Sequence, residues 1–93
     1  MAWRIVKQPN GLYARFSDVV DNFTHYDMSE NEVINRGIDD WDVGKETITK
    51  KLQNAIDDPF RFEHELETVI FRHGKKEAVE IRELFTRESK KIN

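Results

Sequence analysis

The sequence has no cysteine, only two prolines, Pro9 and Pro59, and only four glycines, Gly11, Gly37, Gly44 and Gly74. Without cysteine there is neither a disulfide framework nor a thiolate zinc site, so the fold has to rest on packing, and a reducing cytoplasm suits it. No stretch approaches the roughly 20 apolar residues of a membrane-spanning helix, and the opening MAWRIVKQPNG lacks the apolar run of a signal peptide. The expectation is a cytoplasmic protein with no membrane association. Each glycine reads as a turn or helix end, which leaves no glycine-rich phosphate loop.

Residues 1–93 suffice for one domain, near the size at which a single apolar core can just offset chain entropy. The net charge of -3 hides a segregation. Residues 1–17 carry three basic and no acidic side chains, residues 18–67 five basic and fourteen acidic, and residues 68–93 seven basic and four acidic. An acidic centre between basic ends either holds the fold together electrostatically or offers an acidic face to a basic partner.

Residues 3–23, WRIVKQPNGLYARFSDVVDNF, hold the clearest fold signal. Pro9-Asn10-Gly11 lies between two runs rich in β-branched and aromatic residues, the pattern of an antiparallel β-hairpin over about 3–20. A two-residue Asn10-Gly11 turn pairs Ile5 with Phe16 and Trp3 with Asp18. It sorts Trp3, Ile5, Leu12, Ala14 and Phe16 onto one face and Arg4, Val6, Gln8, Tyr13, Arg15 and Ser17 onto the other. A turn from Gln8 to Gly11 with Gly11 left-handed pairs Ile5 with Arg15 and separates Trp3 from Phe16, so the Asn-Gly turn is favoured. Because a lone hairpin is barely stable, helices have to cover its apolar face. Residues 18–28 alternate poorly; they either prolong the second strand through Val20 or turn to deliver Phe23 and Tyr26 to the core.

Four helices follow. Ser29 with Glu32 forms a capping box, Met28 and Val33 occupy staple positions, and Gly37 ends a helix over about 29–37. Ile38 and Trp41 anchor the linker after it. The second helix, about 45–56, buries Ile48, Leu52, Ala55 and Ile56 at helical spacing. Asp57-Asp58-Pro59 then breaks the chain, with Asp58 capping and Pro59 in the first turn of a third helix over about 59–73. That helix buries Phe62, Leu66, Val69 and Ile70 and stops at Gly74. The last, about 75–90, has a stripe of Ala78, Ile81, Leu84 and Phe85. The fold class is α+β, an N-terminal antiparallel β-hairpin packed against about four α-helices.

Few residues combine into chemistry. His64 and His73 lie nine apart in one helix and point about 180° away from each other at ~100° per residue, so no zinc site forms. The run from Asp40 to Glu46 lacks the ligand positions of a calcium loop. Ser17, Ser29 and Ser89 have turn, cap and tail contexts, none of them a nucleophile elbow. The expectation is a non-enzymatic protein with no cofactor and no metal. Two surfaces remain for partners. Asp39, Asp40, Trp41, Asp42, Asp57, Asp58 and Glu63 can gather where three helix ends meet and bind a basic protein surface. Alternatively Arg4, Lys7, Tyr13 and Arg15 place cations and an aromatic ring on one hairpin face, which suits a nucleotide or nucleic acid. The helices themselves are poor nucleic-acid readers, because Glu63, Glu65 and Glu67 would face phosphates.

At KQPNGLYARFS, and more loosely over residues 3–23, the sequence resembles small uncharacterised proteins encoded by phages and prophages of Gram-positive bacteria. The resemblance carries no catalytic signature. It implies an accessory phage product that binds or inhibits a host component, including host defence systems. The expected function is thus binding of a host protein in the host cytoplasm through the acidic helical surface. A nucleotide or nucleic-acid binder and a self-assembling phage component are the alternatives, with oligomeric state left open.

Overall fold

In the computed structural model, which describes residues 2–88, three strands precede four helices. Strands β1 (Trp3–Lys7), β2 (Tyr13–Ser17) and β3 (Asn22–Met28) form one antiparallel sheet in the order β1-β2-β3. Helices α1 (Glu30–Asp39) and α2 (Lys45–Asp57) cover one face, and α3 (Arg61–His73) and α4 (Lys75–Thr86) cover the other. The α+β class stands as expected, but with the sheet as the middle of three layers.

Two separate apolar clusters follow from that arrangement. Ile5, Tyr13 and Met28 pack with Val33, Ile48, Leu52 and Ala55 of the first helix pair. Val6, Ala14 and Phe16 pack with Phe62, Leu66, Val69, Ala78 and Phe85 of the second. Consecutive strand residues point to opposite sides, so covering both faces buries Ile5 and Val6 alike.

This corrects the hairpin register. Ile5 lies opposite Arg15, and Arg4 opposite Phe16. Gln8 N–H donates to the Leu12 carbonyl at 2.8 Å and Gly11 N–H to the Gln8 carbonyl at 3.0 Å, with Gly11 at φ 88. The connection is therefore the three-residue Pro9-Asn10-Gly11 loop, in which Pro9 favours the type I turn and glycine supplies the left-handed bulge residue. The Asn10 side-chain oxygen accepts from Leu12 N–H at 3.0 Å and fixes the turn from inside. An apolar face and a wet face favour the other turn, but here helices cover both faces of the hairpin, so that sorting does not apply.

The sheet also has a strand more than expected. After a turn with Asp21 at φ 51, β3 returns along β2, with register shifts between Tyr13 and Arg15 and between Arg15 and Phe16. These irregularities, with Asp27 at φ 55, erase the period-two pattern from residues 22–28. Gln8, buried at 2 % exposure, holds the irregular strand: its oxygen accepts from Asp27 N–H at 2.7 Å and its amide donates to the Asp27 carboxylate at 2.8 Å.

Among the helices, the Ser29–Glu32 capping box is present, and Met28 and Val33 are buried in one cluster. Helix α1 does not end at Gly37, which sits buried within it, and runs on to Asp39. Ile38 is no anchor, being 43 % exposed, whereas Trp41 and Val43 do pack against the core. Helix α3 starts at Arg61 rather than Pro59. Asp58 is the C-cap of α2, and Phe60, not Asp58, stands at the N-cap of α3 with no side-chain cap bond. Ile70 lies at the edge of the α3 stripe, 43 % exposed. Gly74, at φ 97, separates α3 from α4 as expected. Helix α4 stops at Thr86, because Arg87 has extended backbone; the expected end at Lys90 lies outside the described residues.

Candidate functional site

Because α2 and α3 lie on opposite faces, the chain between them passes the open side of β1. A cleft of ≈ 220 Å³ lies there, lined by Arg4, Ile5, Lys51, Asn54, Ala55, Asp58 and Arg61. Three cations from three elements thus share one concavity with an apolar floor of Ile5 and Ala55. Asp58 brings the only carboxylate among the lining residues.

Glu65 of α3, 2 % exposed, organises the arginines. Its carboxylate accepts from Arg4 Nη1 and lies 3.4 Å from Arg61 Nε, while Arg4 Nη2 donates to Asp18 at 2.7 Å. Burial pulls the Arg4 guanidinium pKa down, but Asp18 and Glu65 outweigh it, and the net shift is upward. A carboxylate inside a protein is tolerable only when paired in this way. Its position was a readable signal: Glu65 falls three residues after Phe62, inside the apolar stripe of α3.

Lys51 differs from the arginines. Its ammonium donates to the Trp3 carbonyl at 3.3 Å and lies 4.4 Å from the Trp3 ring centre. Among the described residues no carboxylate lies within ion-pair distance of it. Burial, then Arg4 and Arg15, push its pKa down. Beyond Trp3 the aromatic and cationic groups continue: the Arg15 guanidinium lies 4.6 Å from the Trp3 ring and 5.0 Å from the Trp41 ring, and His25 meets Trp41 edge-on at 5.4 Å. Arg15 donates to Thr24 at 3.1 Å, but its buried Nε has no hydrogen-bond partner among the described residues. Burial lowers the Arg15 pKa, and burial with Arg36 and Arg15 nearby lowers that of His25.

The basic hairpin face does not exist as one surface. Arg4 turns toward Glu65 of α3, whereas Tyr13 is buried against the first helix pair and Arg15 stacks between the two tryptophans. Lys7 pairs in register with Tyr13 and is half-buried. Only Arg4 of these four lines the cleft. The acidic set divides as well. Asp39, Asp40, Trp41 and Asp42 lie from the end of α1 into the connection before α2, and Asp57, Asp58 and Glu63 at and beyond the other end of α2, a 13-residue helix of about 20 Å at 1.5 Å per residue. Asp40 pairs with Arg36 at 3.4 Å, and Glu63 with Arg82 at 2.6 Å. Asp57 accepts from Gln53 at 3.0 Å.

A shallower depression of ≈ 280 Å³ lies between β3 and the end of α4, lined by Tyr26, Asp27, Leu84, Arg87 and Glu88. Its charges are mixed. Among the described residues no three His, Asp or Glu side chains are grouped to hold a metal ion, and no helix is long and apolar enough to cross a membrane. Sequence reading missed Lys51, Asn54, Ala55, Arg61 and Glu65, which only the passage from α2 to α3 beside β1 brings to Arg4. Comparison with family models, with curated proteins and with solved structures gave no match for this chain.

Proposed function

We propose that this domain works by binding, without a catalytic step of its own, and that the β1 cleft receives the anionic group of a partner. The observation that carries this is the convergence of Arg4, Lys51 and Arg61 on one cleft, with Lys51 lacking a carboxylate partner among the described residues. Glu65 holds the inner side of Arg4 by a hydrogen bond and so presents it in a fixed position, which lowers the entropy cost of meeting an incoming anion. The buried Arg61 Nε, 3.4 Å from Glu65, has no hydrogen-bond partner among the described residues. Guanidinium and ammonium groups favour phosphate or carboxylate oxygens. A stacked base has less support, because Tyr13 is buried and Trp3 already carries Arg15 and Lys51. In this reading the role implied by the phage-like N-terminal segment, action on a host component in the cytoplasm, is performed by the cleft. Titration of the 15N-labelled protein with inorganic phosphate should move the resonances of Lys51, Asn54 and Arg61, and Lys51→Ala should weaken the effect. Unmoved resonances at millimolar phosphate would sink this reading.

A second reading keeps the acidic surface at the corner between α1 and α2. Asp39, Asp40 and Asp42 are exposed there around the half-buried Trp41, an arrangement that suits a basic protein surface. Reversal of these three aspartates to lysine should abolish salt-sensitive capture of a host protein; capture unaffected by the reversal excludes this corner.

A further inference from the structure

The two edges of the sheet differ in quality. Strand β3 is broken by two register shifts and a left-handed residue, Asp27, whereas β1 holds an unbroken register from Trp3 to Lys7. Irregular edges resist pairing with further strands, and regular ones invite it. The bonds from Gln8 N–H to the Leu12 carbonyl, and from Asp18 N–H to the Ala2 carbonyl at 2.7 Å, fix which residues of β1 face β2. Antiparallel hydrogen bonding alternates, so Ala2, Arg4, Val6 and Gln8 turn their backbone groups inward and Trp3, Ile5 and Lys7 turn theirs outward. Lys51 already donates to the outward Trp3 carbonyl at 3.3 Å. Ile5, the next outward residue, lines the cleft.

Resting on the anion-binding reading of the same cleft, we propose that its occupant is an extended acidic peptide segment of a partner protein, added to β1 as a fourth strand. Its backbone pairs with the outward groups of Ile5 and Lys7 and replaces Lys51 at the Trp3 carbonyl, and its carboxylates meet the Lys51 ammonium so released and Arg61. Main-chain bonds supply affinity in such strand addition, and the flanking side chains choose the sequence. The charge of β1 selects against a second copy of this chain, since WRIVK carries Arg4 and Lys7 and no acid. A second WRIVK strand would bring no carboxylate to Lys51 or Arg61 and would add two more cations beside them. A nucleic acid offers the anion but no ladder of amide groups for the strand.

The test uses the full chain and three probes: a blocked six-residue peptide alternating glutamate and valine, the same peptide N-methylated at alternate residues, and inorganic phosphate. The plain peptide should slow amide hydrogen exchange at Ile5 and Lys7, and N-methylation of the three N–H groups that face β1 should weaken binding by at least about tenfold, since each lost hydrogen bond is worth about 1 kcal/mol. Lys51→Ala should weaken the plain peptide and reduce its salt dependence. Equal binding of both peptides would overturn strand addition. So would phosphate shifts at Lys51 and Arg61 without peptide binding, an outcome that leaves the anion-binding reading standing. Silence from all three probes overturns both. Protection of Ile5 in the protein alone, with dimer-sized scattering, would assign the edge to a second copy and also overturn the proposal.

Discussion

Gly37 of α1 leaves the space that the Ile48 side chain of α2 fills: a Cβ built on Gly37 would lie 2.7 Å from Ile48 Cβ, far inside van der Waals contact. Gly37→Ala should therefore destabilise the protein by about 1–3 kcal/mol through overpacking, although alanine is about 1 kcal/mol the better helix former. Urea midpoints measure the loss. Adding Ile48→Ala should restore less than full stability but make the glycine substitution nearly harmless in that background. A Gly37→Ala protein as stable as the parent would show that the helices can separate freely.

Arg4 and Glu65 should be strongly coupled, because the carboxylate is buried and each of its oxygens faces a guanidinium. Glu65→Gln should cost about 1–3 kcal/mol, below the range for a wholly buried pair because Arg4 and Arg61 reach solvent. A double-mutant cycle with Arg4→Ala should give a coupling of about 0.5–3 kcal/mol. Simple additivity would mean that the pair does not hold β1 to α3.

Tyr13 provides a pH signature. Burial, followed by the nearby Glu30 charge and the 3.2 Å hydrogen bond from the phenol to Glu30, pushes its pKa from 10.0 up to about 12. In a Tyr26→Phe background, the ultraviolet ionisation transition should lie at about 12. The folded pKa is raised, so the phenol's stabilising contribution is whole below the unfolded value of 10.0 and is lost as pH rises toward about 12. Tyr13→Phe should flatten the fall in melting temperature over that window, and Glu30→Gln should lower the ionisation midpoint.

Gln8→Ala should loosen β3 without touching either apolar cluster. It removes the two bonds to Asp27 and the 3.1 Å bond to Asn10. Leaving the Asp27 N–H without its acceptor should cost about 1–3 kcal/mol and speed its hydrogen exchange. Unchanged exchange at Asp27 would show that the irregular strand keeps its shape unaided.

Local chemistry was legible where it decides structure by itself. Ser29 and Glu32 announced the start of α1, the spacing of Ile48, Leu52 and Ala55 gave α2 its buried side, and Gly74 marked the joint between α3 and α4. The hairpin was legible too, but its register was not, since the choice rested on which face meets water. Nothing in Ile5-Val6 says that both are covered; that depends on helices up to 80 residues away. Strand β3 was hidden because Asp27 breaks its alternation with support from Gln8, a long-range contact. Gly37 looks like a helix stop in the sequence because close approach of two helices and helix termination use the same residue. The cleft was least legible: Arg4, Lys51 and Arg61 are far apart in sequence, and only Glu65, out of place on an apolar stripe, hinted at buried charge.

The order of the layers has a consequence for synthesis. The chain emerges with the sheet first, then α1 and α2, and only then α3 and α4. A ribosome that has released the first helix pair has completed one cover while Val6, Ala14 and Phe16 still wait for Phe62, Leu66 and Val69. For that interval the nascent chain carries a bare aromatic and aliphatic sheet face. The speed with which the last third is translated and docks sets how long that face is open to misassociation.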